Sequence, residues 1–225
     1  MPMNIAKFID HTLLKPDATR AEIEQLCQEA LEHHFFGVCV NSFWLPLCSS
    51  VLKNSQTKLV SVVGFPLGAC LSDSKADETR RALHLGANEI DMVLNLGLAK
   101  AGNWSEVERD IQKVVSAASG LPVKVILETH LLQRDQIKRA CEVACLAGAH
   151  FVKTSTGFSG GGARVEDVIL MKESVQGRAK VKASGGIKNK ESLVAMIQAG
   201  ADRIGTSSGV FIVQNGSIPN SESTY

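Results

Sequence analysis

Aromatic side chains are scarce in this chain of 225 residues, at 5% with a single tyrosine, which leaves no surface suited to stacking nucleic-acid bases. Charge of one sign is also missing, since 24 Lys+Arg against 23 Asp+Glu give a formal net charge of +1. Nothing in that balance points to a nucleic-acid partner. No apolar run approaches the ~20 residues that cross a bilayer, and Met1 to Lys7 lacks the charged-then-apolar layout of a secretion signal. A cytoplasmic protein without membrane partners is therefore expected. The six cysteines form no C-x-x-C pair, and a chain this long needs no disulfide staples, so reduced thiols are the expectation. The six histidines show no ligand spacing, and neither G-x-G-x-x-G nor a Walker loop is present. No cofactor, dinucleotide or obligatory metal is expected.

What is present is a repeated phrase. Leu85-Gly86-Ala87-Asn88-Glu89-Ile90-Asp91, Ala147-Gly148-Ala149-His150-Phe151-Val152-Lys153 and Ala199-Gly200-Ala201-Asp202-Arg203-Ile204-Gly205 each read as helix end, turn and strand start. A glycine just past a helix takes the left-handed conformation that closes the last turn. Amphipathic stretches at Thr19 to His34, Asp73 to Leu85, Trp104 to Ala118, Leu132 to Ala147 and Lys190 to Ala199 carry helical spacing. Short aliphatic strands are predicted at Phe8 to His11, Gly37 to Val40, Leu59 to Phe65, Ile90 to Asn95, Val123 to Glu128, Phe151 to Ser155, Lys180 to Ser184 and Arg203 to Thr206. Strands alternating with helices imply parallel pairing through helical crossovers, and eight of them at this length predict an α/β fold closed as a single (β/α)8 TIM barrel. An open doubly wound sheet is the second choice. No linker divides the chain, so residues 1–215 read as one barrel domain and 216–225 as a polar tail.

In such barrels chemistry sits at the C-terminal ends of the strands. Lys153 lies in a strand otherwise fit for burial, and Lys182 occupies the next strand with Lys180 and Ser184 on its face. Two ammonium groups on neighbouring strands favour the neutral form of one of them, and a neutral amine attacks aldehydes. Asp91 falls mid-strand on the face of Val93 and Asn95, where a carboxylate serves as counter-ion or proton carrier; Lys124 and Glu128 share a face of strand five and support the same lumen. A snorkelling lysine or a purely structural ion pair is the plainer alternative for each residue alone. Gly185-Gly186 after strand seven and Gly205-Thr206-Ser207-Ser208-Gly209 after strand eight mark the loops where barrels bind phosphate, with a short helix opening near Gly209. The loop Gly157-Phe158-Ser159-Gly160-Gly161-Gly162 is a further phosphate contact or a lid.

Val152-Lys153-Thr154-Ser155-Thr156-Gly157, Lys182-Ala183-Ser184-Gly185-Gly186-Ile187, Glu89-Ile90-Asp91-Met92-Val93 and Ile9-Asp10-His11-Thr12 closely resemble the 2-deoxyribose-5-phosphate aldolase family, from about Asp10 to Ser208. The resemblance implies a class I aldolase of deoxynucleoside breakdown that needs no metal and takes a sugar phosphate and acetaldehyde as small-molecule partners. It implies Lys153 as the Schiff-base lysine, Lys182 as the second lysine that eases loss of its proton, and Asp91 as an acid/base acting through water. Asp10, Thr12 and Cys39 then line the pocket, while Gly157, Gly185, Gly186, Gly205, Ser207 and Ser208 hold the phosphate. Two departures stand out: Phe158 and Lys188 occupy positions where some members carry lysine and arginine. Tyr225 corresponds to a C-terminal tyrosine that in some members relays a proton. Barrels of this kind often pair through outer helices, which leaves a homodimer open, although no helix face is distinctive. The rival readings are a Schiff-base aldolase or transaldolase for another sugar phosphate, a silent phosphate-binding barrel and a metal-dependent isomerase.

Overall fold

Branched aliphatic residues crowd the predicted strand segments, and they pair as expected for strands covered on both faces. The structure, a computed structural model, describes residues 3–214; Tyr225 and the tail expected at 216–225 lie outside them. The strands are β1 (Ile9–Leu13), β2 (Gly37–Val40), β3 (Lys58–Val63), β4 (Glu89–Val93), β5 (Val123–Ile126), β6 (Phe151–Lys153), β7 (Lys180–Ser184) and β8 (Arg203–Thr206). They close in sequence order into one parallel barrel, the last pairing with the first through Ile9 and Ile204.

Nine helices follow or connect these strands among the described residues: α1 (Arg20–Glu32), α2 (Leu45–Val51), α3 (Ser72–His84), α4 (Leu96–Lys100), α5 (Trp104–Ala117), α6 (Arg134–Leu146), α7 (Val165–Val175), α8 (Lys190–Gln198) and α9 (Gly209–Gln214). Their apolar faces pack on the outside of the barrel, where Ile23, Leu26, Ile111, Val114 and Val168 are buried with the outward side chains of the strands. None of them is long and apolar enough to cross a membrane. Thr19 starts α1 with a capping box, its amide donating to Glu22 Oε2 at 2.7 Å. The repeated glycines behave as read: Gly86, Gly148 and Gly200 hold φ of 99°, 85° and 106° just past α3, α6 and α8.

Several strand ends differ from the sequence reading. β1 runs on to Leu13, and Phe8 belongs instead to a 3-10 turn at Ile5–Phe8. β3 stops at Val63 because the Gly64 amide turns to donate to Glu78 Oε2 at 2.9 Å. β4 stops at Val93, so Asn95 does not share the lumen face of Asp91; its side chain caps α4, accepting from the Leu98 amide at 3.2 Å. α7 carries too little polar contrast to show a helical face in sequence, its Val165, Val168, Ile169, Leu170 and Met171 filling more than one stripe.

The lumen is divided by chemistry. Leu14, Cys39, Val60 and Val62 form a small apolar cluster with Phe65 on the β1–β3 side. The rest of the lumen is charged.

Candidate active site

Register brings the site together. Lys153 pairs with Lys182 across β6 and β7, Lys182 with Arg203 across β7 and β8, and Asp91 with Lys124 across β4 and β5. Because side chains alternate along each strand, all of these turn into the lumen together. The result is a ring of four cations, Lys124, Lys153, Lys182 and Arg203, around three carboxylates, Asp10, Glu89 and Asp91.

The connections are unequal. Lys182 bonds Asp10 and reaches Asp91 Oδ2 at 2.9 Å; Lys124 bonds Glu89 at 2.6 Å and Asp91 Oδ1 at 2.7 Å. Arg203 contacts Asp10 at 2.9 Å and Glu89 at 3.3 Å while its guanidinium lies 3.2 Å from the centre of the Phe36 ring. Lys153 has one carboxylate alone, Asp91 Oδ2, at 2.8 Å.

Burial and charge in the lumen move the titrations of Asp10, Asp91 and Lys182. Burial by itself raises the pKa of Asp91, but Lys124, Lys153 and Lys182 outweigh it and hold the carboxyl well below the ordinary range. Asp10 behaves alike: burial opposes ionisation, Lys182 and Arg203 win, and its pKa falls to about 2. For Lys182 burial favours the neutral amine, yet Asp10 and Asp91 together push its pKa well above the usual lysine value. Lys182 is thus a fixed cation beside Lys153. Cys39 is fully buried, and that burial, with the Asp91 charge, pushes its thiol up to about 11. Every carboxylate of the ring is engaged by lysine or arginine, and among the described residues no group of three His, Cys, Asp or Glu has the arrangement of a metal site.

Above the ring opens a cavity of about 290 Å³. Of the four cations only Lys153 lines it. Thr12, Gly157, Gly185, Gly186, Gly205 and Ser207 line it too, as the sequence reading expects, whereas Asp10, Asp91, Lys182 and Cys39 lie buried beneath. Ser208 is not part of its wall; its amide is already spent on Thr206 Oγ1 at 3.0 Å. The sequence reading missed Lys15, which faces the cavity with Thr206, Lys188 and Phe158. It also missed Arg203 and Glu89, although alternation from Gly205 and Asp91 puts both on the lumen side.

A model of the DeoC/LacD family aldolases matches residues 4–215. The chain belongs to this aldolase family. The aldolase is 55% identical over 216 residues to a deoxyribose-phosphate aldolase of Bdellovibrio bacteriovorus, covering 96% of this chain and 98% of the relative. It is 55% identical to the deoxyribose-phosphate aldolase of Brevibacillus brevis, over 94% and 96% of the two chains. A solved deoxyribose phosphate aldolase from Aeropyrum pernix, described as a unique tetramer, superposes with a TM-score of 0.88 at 35% identity, over 93% of this chain and 89% of that one.

Proposed function

We propose that this aldolase reversibly cleaves 2-deoxy-D-ribose 5-phosphate to D-glyceraldehyde 3-phosphate and acetaldehyde through an imine on Lys153. The observation that carries the reading is that Lys153 is the one ring cation with both a single carboxylate partner and access to the cavity. Four cations face three carboxylates, so the ring is balanced when one lysine is neutral. Among the ring lysines Lys153 makes the fewest ion pairs, one against two each for Lys124 and Lys182.

The neutral amine adds to the C1 aldehyde of the open-chain sugar, and loss of water leaves an iminium. Breaking of the C2–C3 bond sends its electron pair into the iminium as the C3 hydroxyl gives its proton to water, which releases glyceraldehyde 3-phosphate. The enamine left on Lys153 takes a proton at C2, and water then hydrolyses the iminium to acetaldehyde and free lysine. At each iminium stage the positive nitrogen lies beside Asp91, whose carboxylate stays ionised and stabilises it. Lys182 keeps its own charge, so its part is to disfavour a second ammonium at Lys153. Leu14, the member of the apolar cluster that lines the cavity, suits the methyl end of the two-carbon donor. At the outer end, Lys15, Lys188, the glycine loops and Ser207 suit a phosphate.

Borohydride trapping with 2-deoxyribose 5-phosphate, followed by peptide mapping, tests this. A reduced adduct on Lys153 that is absent from Lys153→Leu supports it, and sugar phosphate bound without any adduct overturns it. Assembly as a homodimer through outer helices is the simplest state for such a barrel, two-fold pairing being the commonest symmetry. Light scattering at twice the chain mass supports the dimer; the mass of one chain or four overturns it.

A further inference from the structure

Glu128 is a fully buried carboxylate with no part in the steps above. It follows β5 with φ 56° and ψ 59°, a left-handed backbone that side-chain-bearing residues adopt at a cost and that often marks a functional position. Its acceptors are all used on one target. The Thr156 amide donates to Oε1 at 3.2 Å, and the hydroxyls of Thr156 and Ser159 donate to Oε2, the second at 3.1 Å. Thr156 Oγ1 in turn accepts from the Phe158 amide at 3.1 Å. Two residues beyond Glu128, His130 Nε2 donates to the Ser159 carbonyl at 2.8 Å, and its Nδ1 stands 3.5 Å from Glu128 Oε1. Gly161 lies directly on that ring: a Cβ there would come within 2.1 Å of His130 Cγ.

The segment so gripped, residues 156–162, belongs to the β6–α7 loop, and its Thr156, Gly157 and Phe158 form one wall of the cavity. Four glycines, Gly157, Gly160, Gly161 and Gly162, leave it little rigidity of its own. We propose that Glu128 is a positioning residue that latches this loop against the barrel and so sets the affinity of the cavity for the phosphate of its substrate, taking no part in bond making. The proposal rests on the sugar-phosphate reading above, and its test is independent of turnover.

The experiment is calorimetric titration with inorganic phosphate together with amide hydrogen exchange, on the full chain and on Glu128→Gln and Ser159→Ala. Replacing a carboxylate that accepts several charge-assisted hydrogen bonds is expected to weaken phosphate binding about tenfold, with faster exchange confined to residues 156–162. Ser159→Ala alters an exposed loop side chain and is expected to fold whatever happens to Glu128→Gln; it should weaken binding about threefold, having lost one such bond. Phosphate affinity within twofold of the parent in both variants overturns the latch. Failure of borohydride trapping on the unaltered chain overturns the aldolase reading alone, since phosphate affinity is measured without it.

Discussion

Lys153 and Lys182 donate to the same atom, Oδ2 of Asp91, at 2.8 and 2.9 Å. One oxygen therefore holds two ammonium groups in register across neighbouring strands, and the two lysines differ in what else they hold. Lys182 also anchors Asp10.

That difference separates chemistry from stability. Lys153→Leu leaves three cations against three carboxylates, and its melting temperature is expected to stay close to that of the parent although activity is lost. Lys182→Leu removes two buried ion pairs, leaving Asp10 with Arg203 alone and Asp91 with Lys124 and Lys153, and is expected to cost about 3 to 5 kcal/mol. Urea denaturation of both variants at neutral pH checks this; equal losses would sink the idea that Lys182 is the structural cation.

Acid should expose the buried carboxylates. The pKa of Asp10 lies at about 2 against an ordinary 3.8, so the unfolded chain binds more protons between those values and stability falls as pH drops through them. Asp91 is depressed in the same direction. Asp10 alone is expected to cost on the order of 2 kcal/mol between about pH 4 and pH 2. Urea midpoints taken at pH 5, 4, 3 and 2 measure it, and a flat series contradicts the ion ring.

Thiol reactivity should be graded by burial. Cys70 is exposed and Cys145 partly so, while Cys27, Cys39, Cys48 and Cys141 are buried. Burial holds Cys39 at about 11 and raises Cys141 as well, so both remain thiols near neutrality. A disulfide reagent is expected to modify Cys70 first and Cys145 more slowly, with the buried four reacting on unfolding. Labelling of Cys39 as fast as Cys70 would mean that the lumen is open to solvent.

Phe158, on the cavity wall, meets Phe65 edge-on, with ring centres 5.2 Å apart. Phe158→Lys gives up that aromatic pair and adds a cation to a wall that already carries Lys15, Lys153 and Lys188. The Michaelis constant for the sugar phosphate is expected to fall about threefold at low salt, and the gain should fade as salt screens it. An unchanged constant at every ionic strength would show that the phosphate binds away from this side.

Legibility in the sequence followed from how far each residue breaks its local pattern. Lys153, Lys182 and Asp91 interrupt aliphatic strands, so alternation alone sends them into the lumen, and that is where they lie. Arg203 and Glu89 open their strands, where a charge reads as solvent-facing; only barrel closure, which sets β8 beside β1 and stacks Arg203 on Phe36, buries them. Lys15 sits in a loop without any period, and its approach to the cavity depends on β1 running on to Leu13. Ser208 looked like a phosphate contact by its place after β8, but a local bond to Thr206 removes its amide. Asn95 looked like strand and became a helix cap, because its short amide side chain competes well for the free N–H groups that open α4.

The pairing of β8 with β1 has a consequence for synthesis. Asp10 waits for Lys182 and Arg203, partners 172 and 193 residues further along the chain. A growing chain that has made only seven strands holds Lys153 and Asp91 but lacks Arg203 and the closing edge. Such contacts form late and slowly, because the loop they close spans nearly the whole polypeptide. The ion ring around the reactive amine is thus complete only when the barrel is finished.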